Sequence, residues 1–176
     1  KTGSVGVVTI NLPRIAYNSE NEAEFYEKLT HTMKVAKRSL EIKRKIISKF
    51  MDEGLYPYAK RYLGNFNTHF STIGLVGLNE CSLNAKWVKE NLINDNGRNF
   101  GEKVLEFMRE TIADFQEETG NLYNLEATPA ESTSYRLAKM DKERYNNIIL
   151  ASIEGESPFY TNSCHLPVGF TEDIFD

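Results

Sequence analysis

The sequence predicts an α/β fold with a mostly parallel sheet, and three observations carry that expectation. The hydrophobic period switches several times, from near-continuous β-branched runs to helical spacing and back. The first two candidate strands are apolar almost throughout, as strands covered on both faces must be. The order strand, long helix, strand, two helices, strand, helix suits right-handed crossovers between parallel neighbours.

Val5–Leu12 is β-branched and apolar, and Pro13 ends it. Asn18 and Ser19 offer helix caps, with Glu20, Glu22 and Glu24 near the positive helix end. A helix is expected from about Asn21 to Met51, with Phe25, Leu29, Met33, Ala36, Leu40, Ile47 and Met51 on its buried stripe, widened by Ile42, Ile46 and Phe50. Its cations, Lys34, Lys37, Arg38, Lys43, Arg44, Lys45 and Lys49, are read as a solvated side rather than an anion site. Gly54 stops it. The aromatic stretch Leu55–Phe70, punctuated by Pro57 and Gly64, is expected to be irregular and to anchor loops rather than stack bases. Ser71–Leu78 is the second strand, and Asn79-Glu80 leads into a short helix with Leu83, Trp87 and Val88. Arg98–Thr119 is a helix with Val104, Leu105, Met108, Ile112 and Phe115 on one face, ending at Gly120. Asn121–Ala127 is a third strand, followed by the turn Thr128-Pro129-Ala130 and a helix from about Glu131 to Met140. Ile148–Leu150 is a candidate fourth strand, and Pro158–Val168 is expected to be extended or loop-like. Four strands do not close a barrel, so a barrel would need further sequence on one or both sides.

Composition narrows the function. The 176 residues fit one unit, or part of a larger domain, and 40% apolar content with ten Phe and nine Tyr predicts a packed core. A net charge of −4 argues against nonspecific nucleic-acid binding, which needs surplus Lys and Arg. No stretch approaches the roughly 20 apolar residues of a membrane span, and no secretory leader opens the chain. A cytoplasmic protein is therefore expected, and the start at Lys1 suggests an excised piece. Cys81 and Cys164 are too few for a disulfide framework and lie in no CxxC spacing, so free thiols are expected. Cys164 and His165 are neighbours on an extended segment and point to opposite faces, so no metal site is expected there. Gly3–Gly6 lacks the third Gly of a dinucleotide fingerprint and the Gly-Lys ending of a Walker loop, and no GxSxG elbow occurs.

The stretch Asn124–Arg136, NLEATPAESTSYR, carries the most chemistry. A strand runs into a Thr-Pro turn, and a helix opens in a run of hydroxyl residues. Unpaired N–H groups at a helix start, with Ser132, Thr133 and Ser134 beside them, suit phosphate oxygens. Plain helix capping explains the same residues, and both readings stand at this point.

Four segments together carry a resemblance: KTGSVGVVTINLPRIAY (1–17), STIGLVGLNE (71–80), NLEATPAESTSYRLAKMDKERY (124–145) and YTNSCHLPVGFTEDIF (160–175). In this order they resemble the anaerobic ribonucleoside-triphosphate reductases, the glycyl-radical class. The resemblance implies part of a ten-stranded α/β barrel of two parallel half-sheets, and the reduction of ribonucleoside triphosphates to deoxyribonucleoside triphosphates. It implies a glycyl radical that generates a thiyl radical, formate or a thiol as reductant, ATP and deoxynucleotide effectors, a distal structural zinc and a radical AdoMet activase. A homodimer, and the remainder of the reductase chain, are the implied partners. Neither Cys81 nor Cys164 matches the thiyl position, so this segment is expected to bind no cofactor of its own and to be inactive alone. Thr128, Pro129, Ala130, Ser132, Thr133 and Ser134 resemble the segment that holds the substrate phosphates. Asn11 resembles a polar residue lining the ribose pocket, and Thr161, Asn162 and Ser163 are expected to line the same cavity. Two other readings stay open: another glycyl-radical barrel enzyme, and a non-catalytic nucleotide-binding or assembly module descended from the reductase.

Overall fold

The computed structural model describes residues 2–127, 129–152, 155, 157–167, 169 and 170. Three strands form one sheet, β1 (Gly3–Asn11), β2 (His69–Val76) and β3 (Tyr123–Glu126), in the order β1-β2-β3. Both pairings are parallel, with Asn11 opposite Val76 and Glu126 opposite Gly74. The helices are α1 (Leu12–Tyr17), α2 (Glu22–Asp52), α3 (Pro57–Leu63), α4 (Leu78–Asn84), α5 (Asp95–Thr119) and α6 (Glu131–Arg144). The expected α/β class and parallel sheet are observed.

The core lies between the sheet and its two long helices. Asn21 caps α2 by accepting the Glu24 N–H at 3.0 Å. Phe25, Leu29, Met33, Ala36 and Leu40 bury one face of α2 in a single cluster with Ile10, Ile73 and Leu75 of the sheet. From α5, Phe100, Val104, Met108, Ile112 and Phe115 close the same cluster. Both helices put a helical-period stripe on alternate residues of the strands, as two packed layers require.

Several expectations are corrected. Arg44 is not on a solvated face: it lies one turn beyond Leu40 in the buried stripe and is only 7% exposed. Its guanidinium donates to the carbonyls of Phe66 (3.0 Å) and His69 (2.7 Å) and to Ser71 Oγ (3.0 Å), tying down the entry to β2. Burial pushes its pKa down. Ile42 and Ile46, placed on the apolar stripe by spacing, are instead exposed. The strand does end before Pro13, but directly into a helix: Pro13 occupies the first turn of α1, where its missing N–H costs nothing. Leu12 accordingly belongs to α1. Pro57 likewise opens the short helix α3 inside the stretch expected to be irregular. Trp87 and Val88 lie beyond the end of α4. Ile148–Leu150 is not a strand. Asn84 instead accepts the N–H of Ile149 and donates to its carbonyl, both at 2.9 Å, so a side chain takes the main-chain bonds a ladder would use.

Candidate functional site

The carboxyl ends of β1 and β2 lie side by side, and the chain leaving β3 reaches the same end of the sheet. In parallel α/β sheets this is the end where ligands gather. Asn11 is the last residue of β1. Its Oδ1 accepts the Arg14 N–H at 3.2 Å and so caps α1, while Nδ2 donates to Asp141 Oδ2 at 2.7 Å. One amide hydrogen of Nδ2 is left over.

The start of α6 is unusual. Its N-cap is Ala130, which has no capping side chain. Ser132, Thr133 and Ser134 therefore fall at the second, third and fourth helical positions, two to four residues past the place where a hydroxyl caps. Simple N-capping by these hydroxyls is not what the geometry shows. The first intrahelical bond is Ser134 N–H to Ala130 carbonyl, at 2.7 Å. The N–H groups of Glu131, Ser132 and Thr133 precede it and have no acceptor within a helix. Glu131 and Ser132 are exposed, while Ser134 is buried. Ser134 Oγ donates to the Tyr160 carbonyl and accepts the Tyr160 N–H at 2.9 Å. That hydroxyl uses its one donor hydrogen in holding α6 to residue 160. Thr128 lies outside the described residues.

Tyr160–Ser163 is pinned from three sides. Thr161 donates its N–H to Glu80 Oε2 and its hydroxyl to Glu80 Oε1, both at 2.8 Å, and its carbonyl accepts the Gly77 N–H at 2.8 Å. Asn79 Nδ2 adds a third bond to Glu80 at 3.0 Å, so three hydrogen bonds hold a carboxylate that is only 1% exposed. Asn162 bridges antiparallel to Val76. The Ser163 carbonyl accepts the Leu78 N–H at 3.1 Å, and its backbone is left-handed at φ 48°. Asn162 Oδ1 and Ser163 Oγ are both buried without a hydrogen-bond partner among the described residues.

Ser163 and Cys164 also line a cavity of about 740 Å³ between α5 and the free edge of β3, with Leu75, Ile112, Tyr123 and Glu126. Asn11 and Ser132 are not among its walls. The structure thus brings Asn11, the start of α6 and Thr161 to one end of the sheet, and turns Ser163 toward the β3 edge.

Sequence reasoning missed Glu80, Asp141 and Tyr160. Asp141, fully buried on α6, accepts from Asn11, from Arg14 Nε and from the Tyr160 hydroxyl at 2.8 Å. Burial, and then the Asp141 charge, push the Tyr160 phenol far above its ordinary range. For Glu80 the available signal was a carboxylate closing the apolar run STIGLVGLNE. Nothing local separates Asp141 from the solvated charges around it.

Cys81 is fully buried on α4, and burial, followed by the neighbouring Glu80, raises its thiol pKa well above normal. Cys164 is half-buried. Native chain treated with iodoacetamide near pH 8 is expected to alkylate at Cys164 and spare Cys81, with both reacting after denaturation. Peptide mass mapping reads the result, and early labelling of Cys81 would show that α4 opens readily. Among the described residues no group of three His, Cys, Asp or Glu side chains is placed to hold a metal ion, and no helix is long and apolar enough to cross a membrane.

A parallel sheet with two long covering helices, and polar groups from three segments at its carboxyl end, defines an α/β segment of the kind that gathers ligands at one end of its sheet. The chain belongs to the anaerobic ribonucleoside-triphosphate reductase family, whose family model matches residues 1–176. It is 29% identical over 180 residues to the anaerobic ribonucleoside-triphosphate reductase of Haemophilus influenzae, covering 94% of this chain and 25% of that protein. It is 27% identical to the corresponding enzyme of bacteriophage T4, covering 94% of this chain and 28% of that protein. Among solved structures it is similar to the Thermotoga maritima anaerobic ribonucleotide reductase in complex with dATP and CTP, with a TM-score of 0.79, 27% identity, and coverage of 96% of this chain and 30% of that one. The same enzyme with citrate in its active site gives a TM-score of 0.75 at 30% identity, covering 83% of this chain and 28% of that one. The chain thus spans about a quarter of the length of the curated relatives it matches.

Proposed function

We propose that this segment forms the substrate-binding wall of a reductase that converts ribonucleoside triphosphates to deoxyribonucleoside triphosphates. The start of α6 takes the triphosphate, Asn11 faces the ribose, and Thr161–Ser163 closes the pocket beside them. The observation that carries this reading is the Ala130 cap. It leaves the first-turn N–H groups of α6 without a side-chain acceptor and puts Ser132 and Thr133 beside them as additional donors. Such a turn, in the positive field of a helix terminus, suits an anion. Ser134 does a different job, fixing that turn against Tyr160. Asn162 Oδ1 and Ser163 Oγ, buried without a partner among the described residues, support a loop built to meet a polar ligand or a further part of the enzyme.

Radical generation, the reductant (formate or a thiol), the ATP and deoxynucleotide effectors and the structural zinc belong, on this proposal, to other parts of the enzyme. So do the homodimer contact and the docking of the radical AdoMet activase. A glycyl radical elsewhere in the enzyme would generate the thiyl radical that abstracts the substrate hydrogen, and this segment's own residues would bind and orient the nucleotide.

The test separates the two serines in the full-length reductase carrying this segment. Ser132→Ala is expected to weaken equilibrium binding of CTP by about 1.5–3 kcal/mol, the worth of one charge-assisted hydrogen bond, with little loss of stability. Ser134→Ala is expected to cost about 1–3 kcal/mol of stability instead, because it orphans the buried Tyr160 N–H and carbonyl. Unchanged CTP affinity in Ser132→Ala would sink the phosphate reading.

A further inference from the structure

We infer that Asp141 is a positioning residue for this site, acting through the orientation of Asn11 and itself held in place by Arg14 and Tyr160. The inference rests on the reading of the site given above. Asp141 is a fully buried carboxylate on the third turn of α6. One oxygen faces the Arg14 guanidinium; the other accepts both Asn11 Nδ2 at 2.7 Å and the Tyr160 hydroxyl at 2.8 Å. A buried charge is retained only when its lone pairs are matched, and here each partner comes from a different segment.

Each bond has a directional consequence. The bond to Asn11 fixes which way that amide points. With Oδ1 committed to the Arg14 N–H and one Nδ2 hydrogen committed to Asp141, the free Nδ2 hydrogen is all the donor capacity left to Asn11. Without Asp141 the amide can turn over about its terminal bond. The bond to Tyr160 fixes the phenol of the residue whose backbone clamps Ser134, four positions into α6. Arg14, on the helix that Asn11 caps, supplies the countercharge, so the end of β1, α1 and residue 160 close on one carboxylate of α6. Val76, Ala138 and Tyr160 pack around this knot as a small apolar cluster separate from the main core, which keeps water from replacing these bonds.

A double-mutant cycle in the full-length reductase, activated anaerobically and assayed with CTP, tests the inference. Asn11→Ala and Asp141→Asn are each expected to lower kcat/KM by about 10- to 100-fold, the scale of losing orientation at a reacting group. The double variant is expected to be no worse than about threefold below the weaker single, because Asp141 acts through Asn11. Should Asp141→Asn fail to fold, Arg14→Gln carries the same cycle, since it removes the countercharge that fixes the carboxylate. Losses that multiply in the double variant overturn the inference and leave the site reading intact: Asp141 is then a structural anchor. Full activity in Asn11→Ala overturns both the inference and the ribose-facing role of Asn11. Neither outcome depends on the Ser132→Ala binding result, which tests the phosphate turn separately.

Discussion

Phe25→Ala is expected to lower the stability of the chain by about 3–5 kcal/mol, the cost of emptying a large buried aromatic site. Phe25 is fully buried at the start of α2. Its ring centroid lies 5.3 Å from Tyr26, 5.5 Å from Phe100 on α5 and 6.0 Å from Trp87 beyond α4. Trp87 and Phe100 also meet edge to face at 5.9 Å. The start of α2, the segment beyond α4 and the start of α5 therefore meet on one ring. None of those neighbours can collapse into the gap without leaving the others, so the cavity term should be close to full. The tilted and edge-on pairs add about 0.5–1.5 kcal/mol each beyond area burial. Urea titration of the 176-residue chain reads the effect, with Val35→Ala as control. Val35 is on the same helix but 57% exposed, and its truncation should stay within about 0.5 kcal/mol. Similar midpoints for the two variants would mean that α2 does not seal the core.

The sequence made α2 legible because its signal is redundant. A cap at Asn21, glutamates in the first turn and a stripe spaced by three and four all give the same helix, and its observed ends differ from expectation by one residue each. The same spacing logic passed over Arg44. Leu40 and Ile47 are seven apart, and Arg44 sits at the fourth position between them, on the buried face. A charge there is tolerated only because Phe66, His69 and Ser71 supply acceptors, and those partners come from a loop and the start of β2, which the periodicity of α2 does not describe. Glu80 and Asp141 pose the same difficulty. What lets each carboxylate lie buried is Thr161 for one and Asn11, Arg14 and Tyr160 for the other, at separations from 19 to 130 residues. The segments proposed to build the site were readable one by one, since Asn11 ends a strand and Ser132–Ser134 open a helix. The register within those segments was not. Whether a hydroxyl stands at the cap or one turn inside depends on where the chain leaves β3, which the turn residues alone do not fix.

Gly77→Ala is expected to be about as damaging as Phe25→Ala, for a different reason. Gly77 makes the turn from β2 into α4 with φ 71° and ψ 40°, a left-handed conformation that costs an L residue about 1–2 kcal/mol. An added Cβ would also stand 2.5 Å from Pro13 Cγ and 3.2 Å from Tyr160 Cβ. Pro13 is a closed ring packed at the start of α1, so it cannot swing away as a flexible side chain would, and overpacking of this kind costs about 1–3 kcal/mol. The backbone has little room to yield. Its N–H donates to the Thr161 carbonyl at 2.8 Å, and its carbonyl accepts the Cys81 N–H at 2.7 Å. Relief of the clash must therefore move α1, residue 160 or the first turn of α4, and each of these holds part of the proposed site. Gly120→Ala separates the two contributions. Gly120 ends α5 at φ 69° with nothing within 4 Å of an added Cβ, so it should show the conformational cost alone. Denaturant midpoints are expected to place Gly77→Ala about 2–5 kcal/mol below the parent chain and Gly120→Ala about 1–2 kcal/mol below it. Equal losses at the two positions would mean that Pro13 and Tyr160 give way freely, and that the carboxyl end of β2 is looser than its hydrogen bonds imply.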